Sequence, residues 1–274
     1  MSKARKTRLP SPPESETAAG KVTVAYLTPR EMSAAFHDSL LNLWHHDLNH
    51  NGRLFNGGGR IHLFAGANLS SKRNQAVQQF LDETNAEWLW FIDADMTFEP
   101  DTLDRLLARG EEGIGVVGGL CFGHTDDLVW PTLYQLMPDP GGSDRKVMAR
   151  ATDYPDGELV KVDATGAACL LLHRNVLTAM RAAAEEGREG FHPAFPWFQE
   201  TALHGTPCGE DITFCLRAGY LGFPIVVDTG IHIGHEKTRY LTHDMFRAQQ
   251  REGATDGTGN LGAGEDAPAD HAGQ

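Results

Sequence analysis

The stretch "EWLWFIDADMTFEPDTLDRLL", Glu87 to Leu107, decides how this chain is read. It begins as an apolar run, breaks on two aspartates separated by one alanine, and resumes after Pro100 with leucines at 103, 106 and 107. The run "EWLWFID" has the length and aromatic content of a buried strand. Proline suits the first turn of a helix, where its missing N–H would have had no partner. The order predicted is strand, DxD, helix, with the two aspartates at the strand's end. On an extended backbone, residues i and i+2 project to the same side, which sets the carboxylates of Asp93 and Asp95 together. Two like charges at close range are costly unless a cation, a proton or solvent relieves them. A hard divalent ion does so with oxygen ligands, keeping positions for water and substrate phosphates. Two solvated acids at a strand end are the plain alternative.

Outward from this stretch, strand-like and helix-like patterns alternate. "KVTVAYLT", residues 21–28, is a β-branched run that closes on Pro29, and Met32, Phe36, Leu40, Leu43 and Trp44 follow at helical spacing. "RIHLFAG" is a second strand candidate. Ser70 and Ser71 are expected to cap a helix with Ala76, Val77, Phe80 and Leu81 on its apolar face. "GIGVVGG" is a further strand. The βαβα order implies an α/β fold with a mainly parallel, Rossmann-like central sheet and helices on both faces. Ligands in such folds bind beyond the carboxyl ends of the strands, where Asp93 and Asp95 lie.

A chain of 274 residues with 41% hydrophobic content can bury a sizeable core. Residues 1–20 and 251–274 are rich in Gly, Pro, Ser, Ala and acids, so both are expected to be disordered tails around one globular domain at 21–250. The longest apolar runs fall short of the roughly 18–20 residues a bilayer span needs. The first twenty residues lack the apolar segment of a cleaved secretory signal, so a soluble, cytoplasmic protein is expected. Cys121, Cys169, Cys208 and Cys215 have no CxxC spacing and read as reduced, structural thiols. A net charge of −13 disfavours tight binding to duplex nucleic acid, which needs a basic surface.

Taken with these elements, "FIDADMTFEPDTLDRLL" resembles the DxD strand and following helix of nucleotide-sugar-dependent glycosyltransferases of the GT-A fold, near family 2. Three segments extend the likeness over about residues 21–240. "VAYLTPR" looks like the opening strand, whose loop surrounds the nucleotide. "NLSSKRNQAVQQFL" looks like the helix before the DxD strand, with its Arg and Asn near the donor. "PCGEDITFCLRAGYLGFPIVVDTGIHIGHEK" matches an acidic pair opening a helix, an edge strand and a late histidine.

The resemblance implies roles. Thr28, Pro29, Arg30, Arg73 and Asn74 would face the nucleotide. Asp93 and Asp95 would hold Mn or Mg on the diphosphate of a UDP- or GDP-sugar. His235 would close the metal site, with His232 as the fallback. In a hexosyltransferase-type reaction Asp211 would be the base if the enzyme inverts, with Glu210 contacting the acceptor, and a retaining enzyme would use these acids differently; an acid there is also a natural helix-start residue. Gly166, in "VDATGAACLLLHRNVL", would let the acceptor approach the backbone. Trp197, in "FHPAFPWFQE", would stack on the acceptor sugar or pack as a lid. The acceptor itself is left open among protein, glycan, small molecule and modified nucleobase, with no membrane partner.

Two other classes compete. "FIDADMTF" also fits the DxDxT signature of haloacid dehalogenase-like phosphatases, with Asp93 as nucleophile and Asp95 as acid/base. That signature normally opens its domain, whereas two strand–helix units precede it here, and "GEDITF" lacks the second acid at the required spacing. A non-catalytic, glycosyltransferase-like binding protein is the other alternative, since fold alone does not fix function. DxD, GED and the late histidine together argue against it.

Overall fold

The computed structural model describes residues 18–29, 31–55, 58–66, 68–111, 113–125, 128–237, 243 and 247. The chain divides into two compact units, Met1–Glu236 and Lys237–Gln274. Only Lys237, His243 and Arg247 of the second are described, and the architecture below is that of the first.

The chain opens with β1 (Ala18–Thr28), starting upstream of the run "KVTVAYLT", then α1 (Ala34–Asn49), β2 (Arg60–Phe64), α2 (Leu69–Glu83) and β3 (Ala86–Ile92). The short β4 (Met96–Thr97), α3 (Thr102–Glu111) and β5 (Val116–Leu120) follow. An excursion of short strands comes next: β6 (Phe122–His124), β7 (Val129–Pro131), β8 (Leu133–Pro138), β9 (Lys146–Arg150), β10 (Leu159–Val162) and β11 (Ala164–Thr165). β12 (Cys169–His173) and α4 (Arg174–Glu185) return to the core. The hairpin β13 (Thr201–Leu203) and β14 (Thr206–Cys208) leads into α5 (Glu210–Tyr220), β15 (Ile225–His232) and β16 (Gly234–His235).

The central sheet has seven strands in the order β10-β15-β5-β12-β3-β1-β2. β2, β1, β3, β5 and β15 run one way, and β12 and β10 run against them. The mostly parallel α/β sheet expected from the alternating pattern is present. β12 lies between β3 and β5 and is antiparallel to both. β15, read from sequence as an edge strand, lies between β5 and β10, so the edge is β10.

Both faces of the sheet are buried, and β3 shows how. Leu89 and Phe91 pack with Val77, Phe80, Met180 and Phe214 of α2, α4 and α5. Trp88, Trp90 and Ile92 alternate to the other face, against Phe36, Leu40, Leu103 and Leu106 of α1 and α3. That strict alternation is the two-residue period of a strand with helices on each side. Ser33 caps α1, its hydroxyl accepting from Phe36 N at 3.2 Å. The cap of α2 is Asn68, whose Oδ1 accepts from Ser71 N at 2.8 Å, so Ser70 and Ser71 lie inside the first turn rather than capping it. All four cysteines are buried free thiols, as their spacing implied. Among the described residues no helix is long and apolar enough to cross a membrane.

Candidate active site

The DxD segment is not extended where it matters. β3 ends at Ile92, and Met96 N donates to Asp93 O at 3.1 Å, closing a turn over Ala94 and Asp95. Asp93 N donates to Ala168 O at 2.9 Å, pinning the start of that turn to the segment before β12. Within this turn the two carboxylates meet different partners.

Asp93 meets Arg73. This guanidinium is 3% exposed, and its Nη2 donates to both oxygens of Asp93, at 3.0 and 3.2 Å. Its Nη1 donates to Glu210 Oε1. One buried arginine thus ties the turn after β3 to the first residue of α5. Burial pulls the Arg73 pKa down, but Asp93, Glu210 and Asp211 outweigh it and hold the guanidinium charged. Asp93, expected on a metal, is spent on this ion pair, and Arg73, expected near the nucleotide, faces carboxylates.

Asp95 meets His235. Nδ1 of His235 lies 2.7 Å from the carbonyl oxygen of Phe122, a contact in which only the ring N–H can donate. Nε2 lies 3.1 Å from Asp95 Oδ2. A neutral imidazole protonated at Nδ1 presents its Nε2 lone pair to a carboxylate, and that arrangement is complementary to a cation, whether a proton or a metal ion. Two protein ligands with the remaining positions left to water and substrate phosphates is the usual habit of Mg²⁺. Among the described residues no group of three or more His, Cys, Asp or Glu is placed to hold a metal ion. Asp95 and His235 offer two ligands, so a cation there would need its other positions filled from outside these side chains.

Local backbone explains why His235 arrives there. β16 pairs with β4, placing His235 opposite Met96 and Gly234 opposite Thr97. A Cβ on Gly234 would fall on Thr97 Oγ1, so the glycine of the GH pair is what lets the strands close. Glu236 N donates to Asp95 O at 2.8 Å, and the Glu236 side chain accepts from Ser33 Oγ at the head of α1. His232 points elsewhere: it is 66% exposed beside Asp156 at 3.5 Å. His124 lies nearer, its ring 6.1 Å from that of His235, and no motif in the sequence marked it.

Glu210 and Asp211 form the first turn of α5 after Gly209. Asp211 Oδ1 accepts from Ile212 N at 2.7 Å, and a Cβ on Gly209 would crowd that oxygen. Burial raises the pKa of Asp211, against the lowering pull of Arg73. Glu210 is raised for the same reason, so burial outweighs its ion pair. A carboxylate raised toward neutrality at a ligand-facing helix start is suited to accept a proton. Glu210, engaged by Arg73, is placed to position that arginine rather than to touch an acceptor.

The remaining expected residues divide. Thr28 is buried at the end of β1, with Oγ1 2.7 Å from His62 Nε2, and Pro29 is exposed just beyond it; both lie at the carboxyl end beside β3. Arg30 lies outside the described residues. Asn74 is consumed by the protein. Its Nδ2 donates to Ser70 O and Phe198 O, at 2.7 and 2.6 Å, and its Oδ1 accepts from Trp197 N and Phe198 N. Trp197 is 3% exposed, with Nε1 donating to Leu177 O at 2.8 Å, so the indole is part of the core and presents no open face to a sugar. Arg217 locks the same loop, donating to the carbonyls of Gly190 and Phe195, each at 2.8 Å, and burial pushes its pKa down to about 10. Gly166 is buried with ordinary φ, and a Cβ there would meet only Thr132 at van der Waals distance, so the fold itself does not require glycine at that position.

The carboxyl end of the sheet thus carries an arginine bridging two acidic motifs, a carboxylate–imidazole pair, and an acid of raised pKa. The sequence model of the family described as "Glycosyltransferase like family 2" matches residues 57–254. The chain belongs to this glycosyltransferase family, and its fold is of the GT-A type. No curated protein sequence matches the chain. Among solved structures, "Crystal Structure of A197 from STIV" aligns at a TM-score of 0.48 and 17% identity, over 79% of this chain and 86% of that one. A second, "crystal structure of a glycosyltransferase involved in the glycosylation of the major capsid of PBCV-1", aligns at 0.29 and 11%, over 60% and 66%. The family assignment stands on the sequence match, not on these two structures.

Proposed function

We propose that this glycosyltransferase moves a sugar from a nucleotide-diphosphate donor to an acceptor hydroxyl, with a divalent cation held by Asp95 and His235. The observation that carries the reading is the Arg73 bridge. It joins the DxD turn to the GED helix, Arg73 lying 20 residues before Asp93 and 137 before Glu210, and so links the two motifs. When bound, Mn²⁺ or Mg²⁺ would stabilise charge developing on the leaving diphosphate. The chain's own residues do the rest. Phe122 O orients His235 through Nδ1, and Arg73 holds Asp93 and Glu210 at fixed positions, so the site is preorganised. Asp211 accepts the acceptor O–H proton as that oxygen bonds to the anomeric carbon, and the sugar–phosphate bond breaks with its electron pair going to the diphosphate oxygen.

A thermal-shift panel of UDP-, GDP-, CMP- and dTDP-sugars with Mn²⁺, with Mg²⁺ and with chelator tests this, because a ligand of the native state raises the midpoint without any acceptor. A metal-dependent shift with one nucleotide class, lost in Asp95→Ala, is the expected result. No shift with any donor in folded protein would overturn it in favour of a non-catalytic binding role.

A further inference from the structure

Beside the start of α5 lies a pocket of about 350 Å³ between the β8–β9 strands and the β13–β14 hairpin. Its walls mix two kinds of group. Tyr134, Met148 and Ile212 supply apolar surface, and Arg145 and Arg150 supply charge. Neither arginine makes an ion pair with another described residue, in a protein with 37 acids against 24 lysines and arginines. Arg150 is held in place by stacking on Trp130, with its guanidinium carbon 3.8 Å from the ring centroid. The one carboxylate in the lining, Asp139, is turned into its own loop, accepting from Gly141 N at 2.8 Å and Ser143 Oγ at 2.6 Å.

The hairpin adds an independent sign. His204, at its tip, has φ 51° and is followed by Gly205 at φ 87°. A two-residue turn with both φ positive favours Asn-Gly, and histidine there accepts a backbone cost that asparagine or glycine would lessen. That histidine lines the pocket. Strained residues of this kind gather where a side chain is needed for a ligand.

We infer that this pocket is the acceptor subsite and that it selects acceptors carrying an anionic group, phosphate or carboxylate, next to an apolar ring or chain. Planar guanidinium forks suit both anions. The lining includes Gly209 and Ile212, which flank Glu210 and Asp211 in the chain, and this adjacency ties the pocket to the proposed base. This inference rests on the transfer reading above, and its test separates the two.

The probes are phenyl phosphate, benzoate and phenol, titrated by calorimetry against the full chain, Arg145→Gln/Arg150→Gln and Asp95→Ala. The expected result is that phenyl phosphate or benzoate binds in preference to phenol, that affinity falls at least about tenfold in the double arginine variant, as loss of a charge-assisted hydrogen bond implies, and that it is unchanged in Asp95→Ala. Which of the two anions binds tells phosphate from carboxylate. Equal binding of phenol, anion binding indifferent to the arginines, or anion binding lost in Asp95→Ala would overturn the proposal. The arginine variant must also keep the thermal shift with donor. If Asp95→Ala keeps that donor shift while the arginine-dependent binding holds, the donor assignment fails and the anion pocket stands.

Discussion

Asp211 and Arg73 carry opposite lessons about charge at single residues. Burial raises Asp211, so the folded state holds its proton more tightly than the unfolded chain does. The sign follows from linkage. Its contribution to stability is fully present below the unfolded carboxylate pKa and is lost as pH rises through the raised, folded value. Asp211→Asn removes that loss, so its midpoint should exceed the wild type's by a few degrees at neutral pH, with the difference vanishing near about pH 3. Transfer should fall about a hundredfold or more, while the donor shift remains. Midpoints measured across pH, beside transfer rates, check both halves; a variant less stable at pH 7 would refute the buried-charge account. Arg73→Ala works the other way, leaving Asp93 and Glu210 uncompensated. It should cost about 3 kcal/mol, measured by urea unfolding. Arg73→Lys should recover only part of this, because an ammonium has no planar fork to reach both carboxylates.

At the scale of elements, two short strands and one cap set the geometry. β16 can approach β4 only because residue 234 is glycine. Gly234→Ala should therefore abolish the metal-dependent donor shift, and adding Thr97→Ala should restore it, since the remaining Thr97 atoms stand at ordinary contact distance. Failure of the second change to rescue the first would show that the strand pairing does not place His235. Asn68→Ala removes the cap of α2, the helix that carries Arg73, and should cost about 1 kcal/mol in the same unfolding assay. The loop containing Trp197 shows how an element can mislead. Its prolines and aromatics resemble a flexible lid, but Asn74 and Arg217 fasten its backbone from two helices, and the indole becomes core.

At the scale of the folded unit, the sheet is buried on both faces, and all four cysteines are buried, on β12, just after β5, on β14 and on α5. Burial pushes Cys169 up to about 11 and Cys215 to about 12, so neither is an available thiolate at neutral pH. Ellman's reagent should titrate almost no thiol in the native protein and four per chain in denaturant. Rapid native reaction would mean that the core opens readily. The two faces also explain why the fold was legible early. Strands buried on both sides read as continuous apolar runs, such as "WLWFI" and "CLLL", and helices between them keep a three-to-four spacing that survives in the sequence.

Sequence alone therefore determined the alternation of the first strands and helices, the α/β class and the position of the two aspartates at a strand end, because each follows from local periodicity or from a motif within a few residues, while the GED helix start came from the family resemblance. The family resemblance preferred His235 to His232 at the DxD, and in the fold His235 lies beside Asp95 while His232 lies beside Asp156. Sequence did not determine what each carboxylate touches. Extended geometry sets Asp93 and Asp95 on one side, but a hydrogen bond from Met96 N to Asp93 O turns the chain, and Asp93 meets Arg73 while Asp95 meets His235. The antiparallel direction of β12, the capture of Asp93 and Glu210 by one buried arginine, the burial of Trp197 and the arginine-lined pocket beside Gly209 were decided only by tertiary structure. Each depends on contacts between residues far apart in the chain, whose energies come from burial and desolvation and leave no period or spacing in the sequence.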